Sequence, residues 1–259
     1  MSYNQDPAQA PSVVPPPERK AAYVKTMFGR IAQRYDLMNR LMTAGRDRAW
    51  RRYAVTKAAP PAGGRVLDVA TGTGDFALET LHQQPSAQVV SLDFTPEMLV
   101  LAREKAVSAN AELGLTAGDA LHLPHADGIF DAVVTGFALR NVTDIPVAFA
   151  EMARVTRPGG RVACLEIAKP QRALFGRLFA FYFYRLVPLF GGWITGQKSA
   201  YSYLPNSLTK FLTPDEIADV MRRSGWCDVQ YRRLMFGTVA VHVGVRDKSG
   251  EEAGGSAAG

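Results

Sequence analysis

Residues Arg65 to Ala77 read Arg-Val-Leu-Asp-Val-Ala-Thr-Gly-Thr-Gly-Asp-Phe-Ala, an apolar strand that passes through a glycine turn straight into a helix start. A chain built this way is the first strand–turn–helix unit of an open α/β sheet, with its ligand crevice at the carboxyl ends of the strands. Gly72 and Gly74 let backbone N–H groups approach a ligand closely, and the helix expected over Phe76 to Gln83 begins at that turn. Acids flank the turn. Asp68 ends the strand, and Asp75 stands at the helix start, where a dinucleotide would rest its pyrophosphate and a carboxylate would repel it.

Two further strands deliver acids to the same edge. Gln88 to Asp93 reads as a buried strand, and Asp93 follows the turn by about 20 residues, the spacing of a carboxylate that holds ribose hydroxyls. Leu115 to Ala120 supplies a short strand ending at Asp119, whose carboxylate is placed to accept from an adenine amino group. Adenine, ribose and a cationic group without phosphate describe S-adenosylmethionine. Gly72-x-Gly74-x-x-Ala77 also fits the dinucleotide pattern, so a nicotinamide-dependent oxidoreductase stays open, with Asp68 and Asp75 against it.

At 259 residues and 47% hydrophobic the chain can bury one α/β core. Prolines at 7, 11, 15, 16 and 17 and the Gly/Ala/Glu-rich end predict tails over residues 1–20 and 248–259, around one domain at 21–247. No secretory signal or long apolar span is legible, which predicts a soluble, cytoplasmic protein. Cys164, Cys227 and four histidines (His82, His122, His125, His242) show no ligand spacing, so no metal is expected and the histidines read as surface or loop residues. A net charge of +6 permits an RNA-binding module, but no nucleic-acid motif accompanies it and no nucleic-acid partner is expected.

Strands are further expected over Phe130 to Phe137, Gly160 to Ile167, Val229 to Leu234 and Thr238 to Val245, the last two antiparallel to each other. Helices are expected at Ile145 to Thr156, stopped by Arg157-Pro158-Gly159-Gly160, and after Thr213-Pro214-Asp215-Glu216, a capping box. Arg140 and Asn141 follow the fourth strand at the ligand edge. The competing role for that pair is a loop cap with an ion pair to Asp144. Tyr35, Asp36 and Asn39 lie on an N-terminal segment with helical spacing, Asp36 and Asn39 on one face, that would close as a lid, or in which Tyr35 and Met38 pack on the core while the polar pair caps the helix. Leu174 to Ile194 is dense in aromatics, among them Phe179, Phe181, Tyr182 and Phe183, and reads as a tunnel wall, a membrane-facing lid or a core helix.

Tyr35 to Trp50 and Arg154 to Lys169 resemble the two signatures of the ubiquinone/menaquinone C-methyltransferase family, and Phe137 to Asp144 and Tyr201 to Pro205 resemble further family segments. The chain departs from the family pattern at Thr43, Asp47, Arg157 and Ala168, and carries Gln197 and Ser199 where acids often stand. The resemblance implies a class I, Rossmann-like methyltransferase with a mostly parallel seven-stranded sheet, an antiparallel last strand, and an insert near 171–210. It implies transfer of a methyl group from S-adenosylmethionine to ring carbon of a polyprenyl quinol, demethylmenaquinol or a ubiquinone-pathway benzoquinol, at the membrane surface. The site residues it implies are Asp68, Gly72, Thr73, Gly74, Asp93, Asp119 and Ala120 for the donor. Arg140, Asn141 and Asp36 are the catalytic candidates.

Overall fold

The computed structural model describes residues 17–171, 173–187, 203, 207–208 and 211–247. Two helices come first, α1 (Pro17–Thr43) and α2 (Asp47–Ala58). Strands β1 (Arg65–Val69), β2 (Gln88–Asp93), β3 (Gly114–Ala117), β4 (Phe130–Gly136) and β5 (Thr156–Ile167) follow, with α3 (Asp75–Gln83), α4 (Pro96–Ser108) and α5 (Ile145–Val155) between them. After β5 come α6 (Ala173–Phe181), continued by a π-helical turn over Tyr182–Leu186, then α7 (Pro214–Arg223), β6 (Trp226–Leu234) and β7 (Val239–Arg246).

The sheet has the order β3-β2-β1-β4-β5-β7-β6, and β7 is the strand that runs antiparallel to its neighbours. Strand order reverses between β1 and β4, so a crevice opens beyond their carboxyl ends. Both sheet faces are covered, which is why neighbouring apolar residues of β1 and β4, Val66 with Leu67 and Ala132 to Val134, are buried alike. Phe149 and Met152 of α5 pack with Ile217 and Met221 of α7 on one face, while Ala54 and Val55 of α2 join Phe76 and Ala77 of α3 on the other. Gly136 ends β4 directly under α3, where a Cβ would overlap the Phe76 ring. That close approach fixes the start of α3 against the sheet.

The capping box forms as expected: the Thr213 side chain accepts from Glu216 N at 3.3 Å, and Thr213 N donates to Glu216 Oε2 at 2.7 Å. Four expectations are corrected. Residues 17–20 are already helical, because Pro17 at the first helical position needs no N–H partner. Arg157-Pro158-Gly159-Gly160 does not turn the chain out of the sheet. It lies within β5 as an irregularity opposite Phe130 and Ala132, and a Cβ on Gly160 would meet the Asp131 carbonyl at 2.9 Å. His242 is neither surface nor loop but fully buried on β7, with Nε2 2.9 Å from the Pro214 carbonyl, and burial pushes its pKa down to about 4. The α3 helix opens on Asp75, one residue before the expected start.

Candidate active site

The glycine turn leaves the sheet in left-handed backbone, with φ of 55° at Ala70, 56° at Gly72 and 83° at Gly74. Asp68 holds it from beneath. Its Oδ2 accepts from the Thr71 hydroxyl at 2.6 Å and from Ala77 N at 3.1 Å, at 1% exposure, and burial raises its pKa to about 7. Asp68 therefore shapes the turn and does not line the cleft. Gly74 packs on α4, where a Cβ would stand 3.2 Å from Ala102. Thr73 points away from the sheet and donates its hydroxyl to Asp36 at 2.6 Å.

Asp93 faces the cleft. Gly72 N donates to its Oδ2 and Thr95 N to its Oδ1, each at 2.8 Å, and burial pushes its carboxyl up against those bonds. Asp119 accepts from Leu121 N at 2.9 Å, and both it and Ala120 line the same cleft. Phe94, Met98, Leu121 and Phe137 form apolar walls, and α1 closes the outer side with Ala21, Val24, Phe28 and Tyr35. The empty space at the cleft is about 840 Å³ with the open solvent at its mouth included.

Asp75 is not the unpaired carboxylate expected from sequence. Burial raises its pKa, but Arg51 and Lys105 more than offset that and hold it below the usual range. Lys105 bonds its Oδ1, and Arg51 stands 3.6 Å from Oδ2 while also pairing with Asp47. Repulsion of a pyrophosphate by Asp75 therefore falls away as a reason against a dinucleotide. Asp36 likewise does not line the cleft: it is engaged by Thr73 and, at 2.8 Å, by Lys105.

Beyond β4, Asn141 lines the cleft and Arg140 lies just behind it at 7% exposure. Glu166, buried on β5, accepts from Leu139 N at 2.7 Å and stands 3.6 Å from Arg140 Nη1. Burial raises the Glu166 pKa, with Arg140 opposing it. The ion pair of Arg140 to Asp144 does not form; Asp144 caps α5 by accepting from Val147 N at 3.0 Å. Arg140 Nε and Nη1 have no hydrogen-bond acceptor among the described residues. Tyr203 donates to Asn141 Oδ1 at 3.4 Å, and burial raises the pKa of both Tyr203 and Tyr35, while the Arg140 charge opposes it. Phe179 and Tyr182 pack beside Tyr35, Met38 and Met42, whereas Phe181 is exposed. The side chains of Phe175, Phe183 and Tyr184, and the residues Phe190, Trp193, Gln197 and Ser199, lie outside the described residues.

Sequence reasoning missed Lys105, Arg51 and Glu166. Glu166 alone carried a local signal, a lone acid inside an apolar strand. Among the described residues no group of three or more His, Cys, Asp or Glu side chains is placed to hold a metal.

Glycines and carboxylates gathered at the ends of successive parallel strands, with one antiparallel strand beyond, define the class I methyltransferases, which take S-adenosylmethionine as methyl donor. The fold matches a solved S-adenosylmethionine-dependent methyltransferase from Thermotoga maritima with a TM-score of 0.63 at 18% identity, covering 86% of this chain and 100% of that one. The chain belongs to the ubiE/COQ5 methyltransferase family, whose model matches residues 17–246. A demethylmenaquinone methyltransferase of Roseiflexus castenholzii is 49% identical over 235 residues, 91% of this chain and 98% of that protein. A ubiquinone/menaquinone biosynthesis C-methyltransferase of Desulfotalea psychrophila is 42% identical over 227 residues, 88% and 92% of the two chains. The cleft fits the donor of the class: a Cβ on Gly72 would project to the Tyr35 ring at 3.9 Å, so the glycine leaves that space to a ligand.

Proposed function

We propose that this chain transfers the methyl group of S-adenosylmethionine to a ring carbon of demethylmenaquinol, giving menaquinol. The observation that carries this reading is the pairing, in one region, of the Asp93–Gly72 donor cleft with a buried guanidinium whose Nε and Nη1 have no hydrogen-bond acceptor among the described residues. The donor supplies an electrophilic sulfonium methyl. Asp93 holds ribose hydroxyls, Asp119 and Ala120 the adenine, and Gly72, Thr73 and Gly74 frame the methionine end, with Asp68 holding their backbone. Arg140 stabilises the negative charge that grows on the quinol oxygen as its proton leaves, and Asn141 orients that oxygen. A guanidinium is too weak a base to take the proton, so the proton leaves through water or a neighbouring group. Once the methyl–sulfur bond has broken, the hydrogen on the methylated ring carbon is lost as a proton and the oxygen is reprotonated to restore the quinol.

Sulfonium and phenolate-like oxygen become a neutral pair along the reaction, so a dry cleft that presses them together lowers the barrier. Phe94, Met98 and Phe137 keep the reacting centre dry. The electron-rich ring requires the reduced quinol, and the oxidised quinone is not a substrate. No helix among the described residues is long and apolar enough to cross a membrane. The polyprenyl tail stays in the bilayer while the protein works at its surface, with Leu37, Leu41 and Phe181 exposed beside the cleft helices.

Incubating the protein with labelled S-adenosylmethionine and either demethylmenaquinol or the ubiquinone-pathway benzoquinol tests the reading. Label is expected in menaquinone. Label confined to the benzoquinol product would move the activity to the other pathway, and label in neither quinone would overturn it.

A further inference from the structure

Helix α1 crosses the mouth of the donor cleft as a strap fastened at both ends. Near its start Lys20 Nζ donates to the Val142 carbonyl at 2.7 Å, on the loop after β4. Near its end Asp36 accepts from the Thr73 hydroxyl at 2.6 Å and from Lys105 at 2.8 Å. Between the two fastenings Ala21, Val24, Phe28 and Tyr35 form one side of the cleft wall, so the position of α1 sets how widely the cleft opens to a ligand.

Lys105 reaches this end from α4 and joins three elements with one ammonium. Its Nζ lies 3.1 Å from Thr73 Oγ1 on the glycine turn, and it also bonds Asp75 at the start of α3. Arg51 stays on the other oxygen of Asp75, so that carboxylate keeps a cation if Lys105 is removed, and the loss falls on Asp36. The Lys105 and Asp36 side chains are 25% and 28% exposed. An ion pair so open to water is weak enough to break and re-form in each turnover. A threonine hydroxyl has one proton to give, and with α1 seated it goes to Asp36. The turn that holds the donor and the helix that covers it are thus read by the same ammonium.

We propose that Lys105 is a positioning residue for donor binding: by holding Asp36 against Thr73 it closes α1 over the donor, and its release lets the spent donor leave. This rests on the reading of the cleft as the S-adenosylmethionine site. Lys105 is 69 residues from Asp36 in the chain, and nothing local in the sequence pairs them.

The test measures S-adenosylmethionine binding by calorimetry, its release by stopped flow, and amide exchange along residues 17–43, all on the full chain without quinol. Lys105→Met is expected to raise the donor dissociation constant and release rate about tenfold, most of it in release. Exchange should quicken in α1 and not in β1, β4 or β5, and Lys105→Arg should restore binding. Asp36→Asn, which leaves Lys105 on Asp75, should reproduce the faster release if Lys105→Met fails to fold. Unchanged release in both variants, or faster exchange spread equally over the sheet, overturns the role of Lys105. Absence of donor binding by the unmodified protein overturns the cleft reading instead.

Discussion

Arg140 and Glu166 form a buried pair with Nη1 3.6 Å from Glu166 Oε2, and among the described residues neither Nε nor Nη1 has an acceptor within hydrogen-bond distance. A group that acts on charge appearing only in the transition state affects turnover more than binding. Arg140→Ala should therefore lower kcat by about 100-fold or more, the scale of losing one oxyanion donor, with a much smaller change in either ligand's affinity. Steady-state kinetics with both substrates varied check this, and equal losses in affinity with none in kcat would make Arg140 a docking residue. His242 gives a second expectation at this scale. Its folded pKa of about 4 lies below the unfolded value of about 6.5, so the unfolded chain takes up the proton first as the medium is acidified. Its stabilisation is complete above pH 6.5 and is lost as pH falls toward 4. Unfolding titrations of the native protein and His242→Gln should converge across that window, the native protein losing about 3 kcal/mol relative to the variant.

The aromatic segment separates at the level of the element. Phe179 and Tyr182 are half-buried against Met38 and Met42, with the Tyr182 hydroxyl donating to the Met42 carbonyl at 3.0 Å, so α6 and its π-helical turn brace the end of α1. Neither is a full core residue, and replacing either with Ala should cost less than the about 3–5 kcal/mol of a buried aromatic. If the tail of the proposed quinol runs between α1 and α6, activity on a long-tailed quinol should fall more than activity on a tail-less analogue. Equal losses on both acceptors, with the melting temperature unchanged, would remove the tail from this path. Gly136 belongs at this scale too, since its missing side chain is what lets α3 lie on β4. Gly136→Ala should destabilise the domain by about 1–3 kcal/mol through overpacking on Phe76, read by denaturant unfolding.

At the scale of the whole molecule, the membrane contact proposed above would fall on exposed apolar residues and the charges beside them. Leu37 and Leu41 are 51% and 53% exposed, one turn apart on the outer face of α1, and Phe181 is 58% exposed on α6. Arg40 on α1 and Arg177 and Arg185 on either side of Phe181 are exposed with them, a mixture suited to anionic headgroups over an apolar interior. Flotation with vesicles containing anionic lipid should recover the native protein, and the Leu37→Glu, Leu41→Glu, Phe181→Glu triple variant should bind about tenfold less. Binding that is equal in the two proteins would place the contact elsewhere.

Most of the sheet and half of the site were legible in the sequence for one reason: those signals are local. A strand reports itself by an apolar run, a turn by Gly72 and Gly74, a helix start by Thr213 and Glu216, each within about four residues. The acids at 68, 93 and 119 follow from strand ends alone, and the family signatures added the reaction. Only tertiary structure decided which of those acids faces the ligand. Asp93 looks into the cleft, while Asp68 is turned beneath the glycine turn to serve Thr71 and Ala77. Only tertiary structure placed Lys105 between Asp36 and Asp75, set Glu166 behind Arg140, and drew His242 out of solvent by laying β7 between β5 and β6. Charge compensation and burial depend on which elements come to lie side by side, and residues separated by tens of positions along the chain carry no mark of that meeting.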